Sequence, residues 1–137
     1  MADISRFITH IQDILTADAE LISLGITPQK VYRGFLSQVK DPPHPVIALT
    51  YEIESTDVML ETDATKLYVG IHSHKQLETE AIQLAVKRIL HKMTYADAYI
   101  IVYKCFNVGG LPTPFFDKDL NHWETMIEFK VEVVDAT

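Results

Sequence analysis

From Trp123 to Val133 every second residue is apolar or threonine, namely Trp123, Thr125, Ile127, Phe129, Val131 and Val133, while Glu124, Glu128, Lys130 and Glu132 occupy alternate positions. A pleated strand points successive side chains to opposite faces, so this period of two predicts a long strand with one face on a core and the other in solvent. The chain is therefore built around a sheet. The remaining segments decide what covers its apolar side.

The same alternation runs through Ile47, Leu49, Tyr51 and Ile53 within Val46 to Glu54, and again through Leu67, Val69 and Ile71. These two segments predict an antiparallel hairpin with the polar stretch Ser55 to Lys66 as its return loop. Tyr99 to Val108, rich in β-branched and aromatic residues, predicts a further strand ended by Gly109, Gly110 and Pro112; Val31 to Phe35 predicts a short one. Between Lys40 and Pro45 three prolines fix φ and remove donors, which leaves a stiff loop.

Two segments carry helical spacing. Ile4, Phe7, Ile8, Ile11 and Leu15 share one face over residues 4 to 16, with Asp3 at the N-cap position. Gln76 to Met93 aligns Ile82, Ala85, Val86, Ile89, Leu90 and Met93, with Glu78 and Glu80 in its first turn and Lys87, Arg88, His91 and Lys92 in its last, complementing the helix dipole. A short helical turn from Asp18 to Ser23 is stopped by Gly25, after which Thr27 and Pro28 turn the chain. The patterns together predict one α+β domain over residues 1–137: a mainly antiparallel β-sheet of four long strands and one short, with two α-helices packed on one face, in the order α-β-β-β-α-β-β.

Composition narrows the function. With 47% hydrophobic and 23% charged residues the 137-residue chain has the makeup of an ordinary folded domain. Its longest apolar run, Ala98 to Tyr103, is far short of the ~20 residues needed to span a bilayer. The start Met1, Ala2, Asp3 lacks a basic and apolar leader, so a soluble protein made in a cytoplasm, without a membrane partner, is expected. The net charge of -7 gives a surface that does not attract phosphates, which argues against a nucleic-acid binder but suits a protein that lets DNA pass. Cys105 has no second cysteine for a disulfide or a thiolate zinc cluster and reads as a small apolar side chain within a strand.

Catalysis requires convergent groups, and none is fixed by spacing. His72 and His74 end a strand on the same side with Glu78 one helical turn beyond, a weak two-histidine, one-carboxylate metal pattern whose alternative is a solvated pair at a strand-to-helix junction. Asp117, Asp119 and Asn121 with Glu128 imitate calcium-loop spacing, but His122 replaces the required glycine and a strand follows instead of a helix. Gly109 and Gly110 are too short a pair to cradle phosphate, and the acid pairs Glu52 with Glu54 and Asp57 with Glu61 and Asp63 read as solvated. The residues call for no enzyme, no cofactor and no metal.

Apolar residues in loops are harder to account for as isolated surface. Val58, Met59 and Leu60 lie between acids, and Phe115 and Phe116 follow Pro112, Thr113 and Pro114; both groups are candidates for burial against another chain or back over the chain's own core. The final strand, with Glu128, Lys130 and Glu132 on its polar side, is a third candidate, as a sheet edge open to pairing between subunits.

Three features resemble a known family: the opening helix with Leu15 to Leu21 (LTADAEL), the strand Val31-Tyr32-Arg33-Gly34-Phe35, and the proline-rich approach to Pro45-Val46-Ile47-Ala48-Leu49. They are similar to the tail-completion, or tail-terminator, proteins of long-tailed bacteriophages, and the order of elements agrees over most of the chain. The resemblance implies a virion protein, assembled in the host cytoplasm. It implies a ring, commonly a hexamer, that caps the tail tube, stops its polymerisation and docks a head or neck connector protein, while DNA passes without specific binding. Pro43-His44-Pro45 and the acidic hairpin loop depart from the simplest pattern. Other readings are a head-completion or stopper protein of the neck, a small metal-dependent hydrolase using His72, His74 and Glu78, and a ligand-binding regulatory domain.

Overall fold

A computed structural model of the chain describes residues 3–34, 44–57, 62–110 and 113–136. Helix α1 (Ile4–Ala17) opens at Asp3, whose carboxylate accepts from the Ser5 amide at 3.1 Å, and turns Ile4, Phe7, Ile8, Ile11 and Leu15 inward. Asp18 then caps the short α2 (Ala19–Ser23) through the Leu21 amide. Its end satisfies the last carbonyls in a Schellman arrangement: Gly25 sits at φ 96°, its amide donates to Ile22, and the Ile26 amide donates to Leu21 at 2.9 Å. Leu21 and Ile26 are both fully buried, the hydrophobic contact that accompanies this motif.

A 3-10 turn (Pro28–Lys30) leads into β1 (Val31–Arg33), which pairs in parallel with β2 (Val46–Asp57). β2 and β3 (Thr62–Ser73) form the expected antiparallel hairpin. Helix α3 (Gln76–Leu90) follows, then β4 (Tyr95–Ala96), β5 (Ile100–Gly110), β6 (Phe115–Asp117) and β7 (His122–Asp135). The sheet order is β1-β2-β3-β7-β5-β4, with β6 pairing with the start of β7. Ile47 and Leu49 of β2, Leu67, Val69 and Ile71 of β3, and Ile127, Phe129, Val131 and Val133 of β7 form one core with the buried faces of α1 and α3. Both long helices thus cover the same side of the sheet, as the patterns predict.

Four expectations need correction. The hairpin strands continue through the polar stretch, with Ser55, Thr56 and Asp57 opposite Ala64, Asp63 and Thr62 beyond a bulge after Ile53. Ladder hydrogen bonds do not require an apolar face, and β7 pairs with β3 along its whole length down to Thr62, so polarity here does not mark a loop. The described residues contain seven strands and three α-helices instead of five and two, because β4 and β6 are too short to show a period and α2 is a single capped turn. The last strand is not an edge: β7 lies between β3 and β5 and is among the best-paired strands of the sheet. Finally, α3 stops at Leu90 and not at Met93, since Lys92 takes φ 68° and its amide donates to the Cys105 carbonyl at 2.7 Å, handing the chain over to β5.

Bulges in β5 between Val102 and Lys104 and between Asn107 and Gly109 reset its alternation. Ile100, Val102 and Cys105 face the core as a result, and Lys104 turns outward within 3.7 Å of Glu132. Burial pushes the Cys105 thiol up to about 12, so it behaves as the small apolar side chain expected from the sequence. Polar links fasten the helices to the rest, among them Arg88 of α3, which reaches Asp18 and Glu20 at 3.0 and 3.1 Å, and Arg6 of α1, which reaches Asp97 at 2.9 Å.

Candidate functional site

The face of the sheet away from the helices has two distinct regions. At one end, where β2 and β7 begin and β3 ends, four of the six histidines gather. The register places Val46, His72 and Glu124 side by side on adjacent strands, and His122 shares the outward face of β7 with Glu124. His72 Nδ1 lies 3.2 Å from His122 Nε2 and 3.1 Å from Glu124 Oε2, and His122 Nε2 lies 3.4 Å from the same carboxylate oxygen. The other nitrogen of His122, Nδ1, is 3.1 Å from Nε2 of His44, whose ring packs 4.3 Å from that of His74. Gly70 makes room for the His72 imidazole: a Cβ there would stand 3.4 Å from its Nε2. Burial first, then the neighbouring rings of His122 and His44, push His72 down to about 4, with Asp117 acting in the opposite direction, so its imidazole is neutral at physiological pH.

Part of the sequence-predicted metal pattern is therefore rearranged. His72 belongs to a cluster, but with His122 and Glu124. Glu78 instead accepts from the Ser73 hydroxyl, and His74 is exposed, with Nδ1 at 3.4 Å from the Asn121 carbonyl. Strand register brings His72 to Glu124, and register was not readable from spacing along the chain. The sequence signal that did exist was the His122-x-Glu124 pair, two side chains on the polar face of the most regular strand. The calcium-loop imitation has no counterpart: Asp117 accepts from the amides of Asp119 and Leu120, closing the β6–β7 turn on itself, and Glu128 is far along β7 beside Lys66 at 3.3 Å.

The second region is apolar. Ile101, Tyr103, Phe106 and Val108 along β5 are each 38 to 55% exposed, and Phe115 on β6, 46% exposed, shares the outward face with Glu124, while Phe116, 43% exposed, has the opposite parity beside Trp123. The sequence predicts a loop at β6, but pairing of Phe115 with Glu124 and of Phe116 with Trp123 makes it a strand, and the Phe116 and Trp123 rings pack at 5.5 Å. Glu128, Lys130 and Glu132 all sit on the outward face of β7, where Glu128 and Glu132 are flanked by Lys66 and Lys104. They line a sheet face and not an edge. Val58, Met59 and Leu60 lie outside the described residues.

The edge that the described residues leave unpaired lies elsewhere. β1 covers β2 only from Ile47 to Leu49, with the Gly34 amide donating to the Leu49 carbonyl, and among the described residues no strand pairs with that side of β2 from Thr50 to Asp57. Tyr51 has the core-facing parity yet is 45% exposed, so the cover of the helices does not extend to this position of β2. Beside it an open cavity of about 650 Å³ is lined by Ile8, Arg33, Leu49, Tyr51 and Tyr68 among others.

No family model and no curated protein matches the sequence. Among solved structures the fold is similar to that of a chain in the virion of a native gene transfer agent particle, with a TM-score of 0.72 at 14% identity, covering 90% of this chain and 90% of that one. At that identity the likeness is one of fold, and it extends over nearly the whole of both chains.

Proposed function

We propose that the chain is a non-catalytic structural subunit of a phage-like virion, and that copies of it form a ring, commonly a hexamer, at the head-proximal end of a tail tube. There the ring ends tube polymerisation and offers a docking surface to head or neck proteins. The observation that carries this reading is the whole-length likeness of fold to a gene transfer agent virion chain, which joins the sequence resemblance to tail-completion proteins. The surface supports it. A chain with an exposed apolar row on β5 that Phe115 of β6 extends, and a stretch of β2 edge with no partner among the described residues, has material for two different contacts.

A ring requires such a pair of unlike, complementary patches, because each subunit meets one neighbour on either side. Ending a tube then requires that one ring face reproduce the tube's own contact while the other refuses a further tube subunit. The excess of acids keeps DNA from adhering as it passes. A second neck component, such as a stopper, would use the same kind of surface. The discriminating experiment is mass photometry and negative-stain imaging of the purified chain, alone and with its tube protein. Closed rings that bind one tube end support the proposal; a monomer at all concentrations that ignores tubes refutes it.

A further inference from the structure

We propose that His72, His122 and Glu124 form a binding site for one divalent transition-metal ion of the zinc type, with His44 orienting His122 from behind. The inference is independent of the ring assignment. It rests on the triangle made by the three potential ligand atoms. Its sides are 3.1, 3.2 and 3.4 Å. Zinc bonds nitrogen and oxygen at about 2.0–2.1 Å in tetrahedral sites, which sets the spacing of neighbouring ligand atoms at about 3.3 Å. The three atoms therefore already stand at the separations of one face of a coordination tetrahedron, and those residues form a metal-capable group among the described ones.

Hydrogen bonding alone satisfies this triangle poorly. A neutral imidazole carries one N–H and one lone pair, and a carboxylate only accepts. If His72 Nδ1 donates to Glu124, His122 Nε2 either turns a lone pair toward the carboxylate or holds a proton and abandons His72. One side of the triangle is left unmatched either way. A cation within reach of all three atoms uses every lone pair at once. Such an ion also fixes the tautomer of His122 with its proton on Nδ1, where His44 Nε2 accepts at 3.1 Å, the outer contact that ligating histidines ordinarily make. Two imidazoles and one carboxylate suit zinc, and also nickel, cobalt or copper, better than calcium or magnesium. The fourth position is left for water or for a group from a docked chain.

The site would fasten the end of β3 to the start of β7, and through His44 the approach to β2. The test is chelation of the purified full chain, removal of the chelator, and titration with zinc chloride by calorimetry, with metal content measured in parallel and melting followed by scanning calorimetry. One ion per chain, micromolar or tighter, and a higher melting temperature are expected. Glu124→Gln and His72→Ala, both at partly exposed positions, should each weaken binding by tenfold or more with the fold retained by circular dichroism. His91→Ala, at a histidine outside the cluster, should leave it unchanged. Substoichiometric or millimolar binding, or equal binding by Glu124→Gln and the parent chain, overturns the proposal.

Discussion

Replacing Phe115 with aspartate separates what this side chain does for its own fold from what it does between subunits. Phe115 is 46% exposed on β6. A phenylalanine side chain presents roughly 200 Å², so about 90 Å² remains open and slightly more is covered by the chain itself. At about 25 cal/mol per Å² the open part contributes about 2 kcal/mol wherever a neighbour covers it, or roughly 30- to 50-fold in the dissociation constant of each contact. The covered part is worth a similar amount to the fold, for a drop of about 10 °C in melting temperature with a chain of this size. Typical domain stability exceeds that loss, so the variant stays folded. Sedimentation velocity across a concentration series reads the first number and thermal unfolding of the dilute protein the second. A melting temperature lowered as expected beside self-association unchanged within threefold would show that Phe115 serves its own core alone.

The remaining predictions concern the fold that presents these surfaces. Asp97 accepts from the amides of Tyr99 and Ile100, from Arg6 and from the Tyr95 hydroxyl; burial opposes its ionisation, but these donors prevail and hold its carboxyl well below the usual range. Asp97→Asn should therefore melt lower than the parent above pH about 4, the two curves converging as pH falls below the unfolded carboxylate value toward the lower folded one; a gap independent of pH down to acid unfolding would contradict this. Gly110 sits at φ 120° with the position of a Cβ only 2.3 Å from the Met126 carbonyl oxygen, so Gly110→Ala should cost at least about 2 kcal/mol in denaturant unfolding. A neutral effect there would mean that β5 does not approach β7 as closely as described.

The parts of the molecule legible in the sequence were those governed by one strong local rule. β7 was readable almost to the residue because its alternation from Trp123 to Val133 coincides with full burial of Ile127, Phe129, Val131 and Val133. α1, with Asp3 at its head, was equally plain. Where polar residues continue a ladder the pattern was silent: Ser55 to Asp57 and Thr62 to Lys66 are paired strand with polar sequence. The bulges of β5 concealed which residues face inward past Val102, because a shift by one residue exchanges the two faces. The histidine cluster was half visible. His72 was identified from its own neighbourhood, but its partners His122 and Glu124 arrive across strands some fifty positions later, and His44 joins the cluster through His122. The strand order, with β7 in the middle and not at the rim, was likewise a property of pairing between distant segments.

The central claim is that this chain ends a tube, and it is tested most directly by adding the purified protein to its polymerising tail-tube protein and measuring tube lengths by electron microscopy. The account predicts shorter tubes whose length falls as the ratio of added chain rises, each with extra ring density at one end. Tubes of unchanged length, without such density, at ratios where the chain is in excess over tube ends would contradict it.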